Sequence, residues 1–312
     1  MIKIAVLGLG GVGGFYGGKL AKKYENSTEI EVYFFARGKH LEEIEKKGLK
    51  VISNDSEFVA KPKKVTNNPT EIGIMDFIIV ATKSYDLIES MQYISPCIDK
   101  NTIILPLLNG GIITEQIRDV YPDNVVWSGC SYIVSRKTAP GIITQVGDFS
   151  RLDFGFDNGE SEKLIEFEKI LKDADIDARL SSNVRENIWK KFYFISVSAS
   201  LTSYYDVSFN AIVETDERRN MTIGMAKEFI QVAKAEGIDL GEDAIENIVS
   251  RTEVLPKDTT TSMHSDFIAG HKTEVDNLTG VVVQLAHKHK IEIPLYEKVY
   301  KTLKEKEQKN NS

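Results

Sequence analysis

Short apolar runs alternate with amphipathic stretches over the first 180 residues of this 312-residue chain. The run at residues 4–7 predicts a buried strand, and the residues after it, 14–24, have helical spacing. The other predicted strands span residues 30–36, 77–81, 102–107, 125–128 and 176–180, and the other predicted helices span residues 41–47, 84–94, 112–120 and 160–172. This alternation is typical of an α/β fold built on a doubly wound parallel sheet.

The pattern changes after residue 180. Before it, residues 49–52 and 58–60 predict a hairpin, and residues 130–156 predict further turns and strands. After it, helical spacing dominates, with predicted helices at residues 184–201, 214–236, 243–249, 276–289 and 295–307. The sequence therefore predicts an α/β domain over residues 1–180 and an all-α domain over residues 181–312.

The first predicted strand ends in a glycine-rich turn, G-x-G-x-x-G, formed by Gly8, Gly10 and Gly13. Gly8 allows a tight turn, Gly10 lets the backbone approach a pyrophosphate, and Gly13 lets the helix close on the strand. The free N–H groups of the first helical turn then face the anion. This predicts a Rossmann-type dinucleotide site, and the alternative is a glycine-rich turn that holds no ligand. The same loop contains Leu9, Gly11 and Val12, which we expect to contact the cofactor.

The end of the second predicted strand selects between cofactors. An NAD site usually has Asp or Glu there, which accepts hydrogen bonds from the ribose 2′-hydroxyl. This chain has Arg37 near that place and Lys39 two residues later. Because a guanidinium binds a phosphate through a bidentate charged pair, the sequence favours NADP(H). The alternative interpretation of Arg37 is a solvated surface charge.

Two further polar residues follow predicted strands. Lys83 comes after the strand at residues 77–81, and Asn109 comes after the strand at residues 102–107, just before Gly110 and Gly111. Ligands of open α/β sheets bind beyond the carboxyl ends of the strands, so both residues are candidates for cofactor and substrate binding. The alternatives are a loop lysine and a turn asparagine.

The predicted helix at residues 184–201 contains two adjacent lysines with different surroundings. Lys190 follows Glu186 by four residues, which is typical of a surface ion pair. Lys191 shares its helix face with apolar residues. A lysine in apolar company has a depressed pKa and can donate a proton near neutral pH. The alternative is a lysine whose stem packs at the rim of the core.

Later motifs add candidate polar groups. Ser262 and Asp266 are four residues apart, on one face of a helix. The segment Lys272–Asp276 contains Glu274 and begins a predicted helix, where Thr273 and Asp276 alternatively form a capping arrangement. The five histidines show no metal-ligand spacing, and no Ser-His-Asp or Cys-His arrangement is visible, so we expect no metal site.

The composition of the chain limits the kinds of molecule that we expect it to bind. The chain is 42% hydrophobic and 27% charged with a net charge of −7, which argues against nucleic acid and anionic membranes as partners. No apolar run is long enough to span a membrane, and the first core strand begins at the N-terminus, so we expect no signal peptide. Cys97 and Cys130 are widely spaced, which predicts reduced thiols in a cytoplasmic protein.

The ordered motifs GLGGVGG, FARG, VATKSYD, PLLNGG, WKKF, TSMHSDF and KTEVDNLTG resemble the ketopantoate reductase (2-dehydropantoate 2-reductase) family over nearly the whole chain. The resemblance implies a Rossmann domain that binds NADP(H), a helical substrate domain, and reduction of 2-dehydropantoate on the way to pantothenate and coenzyme A. It also implies two catalytic residues: Lys191 is the general acid, and Glu274 binds the substrate hydroxyl and lies at the cofactor. Four further residues are implied to bind the substrate: Ser262 contacts its carboxylate with Asp266 beside it, Asn109 bridges cofactor and substrate, and Lys83 lines the site.

One departure from the family pattern concerns the substrate. Family members have asparagines four and eight residues after the catalytic lysine, where this chain has Ile195 and Ala199. The machinery for hydride transfer is therefore expected to be intact and the substrate pocket altered. Two alternatives follow: a reductase of another branched 2-keto acid, or a non-catalytic NADP(H)-binding sensor. A small-molecule keto acid is the expected partner, and a homodimer is a possible assembly.

Overall fold

The computed structural model describes residues 1–54, 56–157, 159, 161–257 and 259–310. Its strands are β1 (Ile2–Leu7), β2 (Ile30–Phe35), β3 (Leu49–Ser53), β4 (Ser56–Ala60), β5 (Lys64–Thr66), β6 (Phe77–Val80), β7 (Ile103–Pro106), β8 (Ser128–Ala139), β9 (Ile142–Gly155) and β10 (Ala178–Leu180). Its α-helices are α1 (Gly11–Lys23), α2 (Gly38–Lys47), α3 (Leu87–Tyr93), α4 (Ile113–Val120), α5 (Glu162–Asp173), α6 (Val184–Tyr205), α7 (Asp216–Ala235), α8 (Ala244–Glu253), α9 (Ser262–Ile268), α10 (Val281–His289) and α11 (Pro294–Asn310).

The chain divides into two compact units. The first unit contains Met1–Leu108 and Ile112–Arg185. The second contains the chain from Glu186 onward together with the short segment Asn109–Gly111, which follows β7 in sequence.

The first unit contains a five-stranded parallel sheet in the order β5-β2-β1-β6-β7. This order places β1 at the centre and makes the gap between β1 and β6 the point where the winding reverses. The register pairs Leu7 with both Phe35 and Val80, and Val80 with Pro106. Four carboxyl ends are therefore aligned at one edge. The predicted doubly wound parallel sheet is confirmed.

A second sheet covers the other side of α1. Its centre is the long strand β9, which is antiparallel to β8 along one edge and pairs on the other edge with β3 and β10. The predicted hairpin is confirmed as β3 and β4, which form the outer part of this sheet. The strand predicted at residues 125–128 is wrong, because Val126 makes only an isolated bridge to Ile104 and β8 begins at Ser128. The helix predicted from residue 160 begins at Glu162, and residue 160 lies outside the described residues.

Helix α1 packs between the two sheets through four glycines. A Cβ atom on Gly13 would overlap the Gly8 carbonyl oxygen, and one on Gly17 would lie 3.1 Å from Val6, both on the side of the parallel sheet. On the opposite side, a Cβ atom on Gly14 would lie 2.5 Å from Ile143, and one on Gly18 would lie 2.6 Å from Val51. Positions four residues apart share a helix face, so each pair of glycines serves one sheet.

The described part of the second unit is helical, as predicted. Helix α6 is buried along most of its length, and its aromatic residues Trp189 and Phe192 pack edge-to-face with Phe229 of α7. Between Val275 and α10 the chain makes a π-helical turn, Asp276–Gly280, in which the Val281 N–H donates to the Asp276 carbonyl five residues back. None of the helices in the described ranges is long and apolar enough to cross a membrane.

Candidate active site

The glycine loop joins β1 to α1 at the aligned strand ends. Gly8 has a φ angle of +94°, and a Cβ atom there would lie 2.7 Å from the backbone of Ala81 and Thr82. Gly10 is exposed, precedes the first turn of α1, and has open space on the side where a Cβ atom would point. Leu9 is buried, Gly11 lies against the Ser135 carbonyl, and Val12 is half-buried. A pyrophosphate fits this geometry because no side chain caps the N–H groups of α1.

Two hydroxyl groups beside this loop are buried without a hydrogen-bond partner. They belong to Thr82, which follows β6, and to Ser135, whose backbone contacts Gly11. A buried polar atom without a partner costs free energy, so such atoms are uncommon in folded proteins. Their position beside the glycine loop is consistent with a polar ligand at this edge of the sheet.

His40 ties the glycine loop to the turn between β8 and β9. Its Nε2 lies 3.0 Å from the Leu9 carbonyl oxygen, and the Gly141 N–H donates to its Nδ1 over 2.8 Å. A backbone N–H can only donate, so Nδ1 must be unprotonated and Nε2 must carry the ring proton. Burial, followed by the nearby charge of Lys137, lowers the pKa of His40. Sequence analysis missed this residue because its partners are 31 and 101 positions away.

Arg37 and Lys39 lie at the end of β2 and the start of α2, and both are exposed. The Arg37 guanidinium stands 5.1 Å from the centre of the Tyr93 ring. The Tyr93 hydroxyl donates to the Asn67 carbonyl, which holds the ring in place. A cation over an aromatic face is favourable, so the guanidinium has a defined position next to the strand end.

Lys83 lies three residues beyond β6, at the same edge of the sheet as Gly8 and Arg37. It is half-buried and precedes the short 3₁₀ turn Ser84–Asp86, whose Asp86 N–H donates to the Lys83 carbonyl over 3.1 Å. The structure therefore brings the glycine loop, Arg37 and Lys83 to one edge of the parallel sheet in the first unit.

Lys191 lies on α6 in the second unit and is half-buried, and it shares its helix face with the half-buried residues Ile188, Phe194 and Ile195. The Lys190 ammonium is exposed and lies 3.6 Å from the Glu186 carboxylate. Four and eight residues after Lys191, Ile195 is half-buried and Ala199 is buried. Ile195 and Ala199 add no polar group to this helix face, whereas Ser198 beside them has a buried hydroxyl without a hydrogen-bond partner.

The Asn109 loop is held against two elements of the second unit. Gly110 has a φ angle of +133°, and a Cβ atom on Gly111 would lie 2.6 Å from the Phe192 ring. The Asn277 side-chain amide donates to the Asn109 carbonyl over 2.8 Å. Glu274, three residues before Asn277, is buried, and its carbonyl accepts the Asn277 N–H. The loop therefore connects the α6 segment that carries Lys191 to the turn that follows Glu274.

Ser262 and Asp266 lie on a separate helix, α9. Ser262 is its exposed first residue, and Asp266 is half-buried with its Oδ1 3.9 Å from His271 Nδ1. The helix is fixed by His264, which is buried and has Thr260 Oγ1 and Asp206 Oδ1 each 2.7 Å from its two ring nitrogens. No cluster of three or more possible metal-ligating side chains occurs in the described residues.

Comparison with known proteins covers both units. The family model for ketopantoate reductase PanE/ApbA matches residues 4–159, and the model for the C-terminal part of that family matches residues 183–307. The uncharacterized oxidoreductase YkpB of Bacillus subtilis (strain 168) is 29% identical over 304 residues, covering 97% of this chain and 98% of that protein.

Solved structures are similar over the same length. The crystal structure of 2-dehydropantoate 2-reductase from Porphyromonas gingivalis W83 has 35% identity and a TM-score of 0.85, covering 97% of this chain and 99% of that one. The ternary structure of D-mandelate dehydrogenase with NADH and anilino(oxo)acetate has 24% identity and a TM-score of 0.83, covering 100% of both chains. The second likeness is one of fold.

The neutral His40 makes the stability of the first unit sensitive to acid. The pKa of His40 is lower in the folded state than in the unfolded state, so below about pH 6.5 the unfolded chain binds a proton that the folded chain excludes. The free energy of unfolding should therefore fall between about pH 7 and about pH 5, and His40→Gln should reduce this fall. Glutamine keeps an amide donor for Leu9 but does not titrate. Urea denaturation of both proteins across this range tests the assignment, and equal pH dependences would contradict it.

Proposed function

The chain belongs to the ketopantoate reductase family, and we propose that it reduces 2-dehydropantoate to pantoate with NADPH, a step of pantothenate and coenzyme A biosynthesis. The observation that carries this proposal is the arrangement in the second unit. There the Asn109 loop packs against Phe192, next to Lys191, and is hydrogen-bonded to the turn after Glu274. Three residues with distinct proposed roles thus lie on elements that contact one another.

Lys191 is the proposed general acid. NADPH, when bound, would supply the hydride for C2 of the keto acid. Negative charge then develops on the ketone oxygen, and the Lys191 ammonium stabilises that charge and donates a proton to it. Lys191 is half-buried beside apolar residues of α6, and this strengthens the interaction between the ammonium and the developing oxyanion, because charges interact more strongly where less water surrounds them.

The other polar residues orient the substrate and cofactor. We assign Glu274, which is buried, to the substrate hydroxyl, as membership of this family implies. Ser262 binds the substrate carboxylate with Asp266 beside it, and Asn109 bridges substrate and cofactor. Lys83, which follows the carboxyl end of β6, is proposed to bind cofactor and substrate.

The cofactor proposal depends on the glycine loop and Arg37. The open face of Gly10 and the uncapped start of α1 suit a pyrophosphate, and Arg37 beside the end of β2 suits the ribose 2′-phosphate. The sequence has no acidic residue at the end of β2, next to Arg37, where a carboxylate would repel this phosphate.

A second candidate substrate is a branched 2-keto acid without the terminal hydroxyl. Ile195 and Ala199 favour it, because they present apolar groups where family members have asparagines. A polar substrate group without a partner there loses about 1–3 kcal/mol of binding free energy.

Arg37→Ala should weaken NADPH binding by about 1.5–3 kcal/mol, the scale of a hydrogen bond to a charged group, and leave NADH binding nearly unchanged. Arg37→Lys keeps the charge but not the bidentate fork and should give an intermediate loss. Fluorescence titration with both cofactors measures the effect. Equal losses for NADPH and NADH would rule out the 2′-phosphate role.

Lys191→Ala should lower kcat by about 10²–10⁴-fold, the usual contribution of a general acid, while the protein stays folded. Lys190→Ala is the matched control, because it removes an adjacent ammonium that pairs with Glu186 at the surface. Steady-state kinetics and circular dichroism of the two variants separate the roles. Comparable losses in both would mean that the wrong lysine has been assigned.

The substrate is tested by following NADPH oxidation with 2-dehydropantoate and with branched 2-keto acids that lack its hydroxyl. Ile195→Asn combined with Ala199→Asn should shift the ratio of kcat/KM values toward 2-dehydropantoate, by about one to two decades. An unmoved ratio would show that these positions do not set specificity. Tight NADPH binding without turnover of any keto acid would contradict the enzymatic proposal and favour a sensor.

A further inference from the structure

The Asn109 loop has little means of holding its own shape. Gly110 adopts a left-handed φ angle of +133°, and Gly111 has no side chain that could anchor the loop. Glycine loses more conformational freedom on folding than any other residue, so a Gly-Gly segment is ordered only by what surrounds it. In the described structure, the Phe192 and Trp189 rings lie over Gly111, and the Asn277 amide is bonded to Asn109.

Asn277 is suited to this task by its burial. Its side chain is 9% exposed, and its Nδ2 donates to the Asn109 carbonyl over 2.8 Å. A buried amide costs free energy unless it is hydrogen-bonded, so the contact with Asn109 satisfies both groups. The partners are 168 positions apart in sequence.

The π-helical turn sets the direction of Asn277, and α6 fixes that turn. Ser196 Oγ donates to the Leu278 carbonyl over 2.6 Å, and Ser200 Oγ lies 2.7 Å from Thr279 Oγ1. The widened turn is thus bonded to α6 at the two residues that follow Asn277. Single π-helical turns are rare and often occur at functional sites.

These contacts form a closed ring that begins and ends on α6. It runs from Phe192 to Gly111, along the loop to Asn109, across to Asn277, and through Leu278 back to Ser196. Lys191 immediately precedes one end of the ring, and Glu274 lies three residues before Asn277. The Asn277 bond is the link of this ring that reaches the Asn109 main chain directly.

We propose that Asn277 is a positioning residue, which holds the Asn109 main chain at a fixed place relative to Lys191 and Glu274. The effect of Asn277 on catalysis rests on the proposed function, whereas its effect on the position of the Asn109 loop does not. A small misplacement of a substrate-positioning group lowers the rate by up to about a hundredfold. Loss of the Asn277 amide should therefore lower kcat by about ten- to a hundredfold and change KM for the keto acid less than kcat.

The test compares Asn277→Asp, which keeps the shape but loses the N–H donor, with Asn277→Ala, which loses the bond without adding a charge. Asp276→Asn is the matched control on the same turn, because Asp276 is exposed and its partners are Tyr300 and Lys304. Hydrogen exchange followed by mass spectrometry should be faster in peptides covering residues 106–112 for both Asn277 variants and unchanged for the control. Thermal unfolding and exchange across α6 and α10 show whether the rest of the unit stays intact.

Faster exchange confined to the Asn109 loop, with a loss in kcat in both Asn277 variants, would support the proposal. Unchanged exchange and kinetics in both, or exchange that rises across the whole second unit with a matching loss of folded protein, would overturn it. Faster loop exchange in a protein that turns over no keto acid would support the tether and contradict the proposed function, so the two failures are distinguishable.

Discussion

Helix α1 lies within van der Waals distance of two sheets because four of its positions have no side chain. An added carbon would lie less than 3.0 Å from neighbouring atoms at Gly13, Gly14 and Gly18 and 3.1 Å from Val6 at Gly17, and overpacking of this kind is destabilising. The parallel sheet supplies the strand ends where ligands of this fold bind, and the second sheet covers the helix from the other side. The start of α1, where the glycine loop turns, is thereby fixed from both directions. The geometry of the glycine loop depends on this packing.

The sequence correctly predicted those strands that have a local pattern of apolar residues. Runs such as residues 77–81 and 103–107 are apolar throughout because parallel strands are covered on both faces, and this pattern can be recognised without knowing which strands pair. The short strand β5, of sequence Lys-Val-Thr, has no such run and was missed. The long hairpin of β8 and β9 was predicted only as turns and strands, because its irregular register breaks the alternation of apolar and polar residues. Gly8, Gly10 and Gly13 were predicted to form a cofactor loop. The sequence did not indicate that Gly14 and Gly18 pack against a second sheet.

The candidate site was predictable where its residues belong to motifs and unpredictable where they act through distant partners. Lys191 and Arg37 could be singled out from their neighbours in the chain. His40 and Asn277 could not, because their roles consist of hydrogen bonds to Gly141 and Asn109, far away in sequence. The serines of α6 could not be singled out either, because they also bind partners that are distant in sequence. Ser196 and Ser200 look like weak helix formers in the sequence, yet both are fully buried and bind the π-helical turn.

The membership of Asn109–Gly111 in the second unit makes that unit discontinuous along the chain. A fragment that begins at Glu186 contains every helix from α7 to α11 but lacks three residues that cover part of Phe192 and satisfy Asn277. Such a fragment has exposed aromatic surface and an unpaired buried amide, both of which favour association or partial unfolding. The second unit is therefore not a module that can be excised or transplanted as one continuous segment. Transfer of this unit from one protein to another, by evolution or by engineering, requires that the PLLNGG loop be transferred as well.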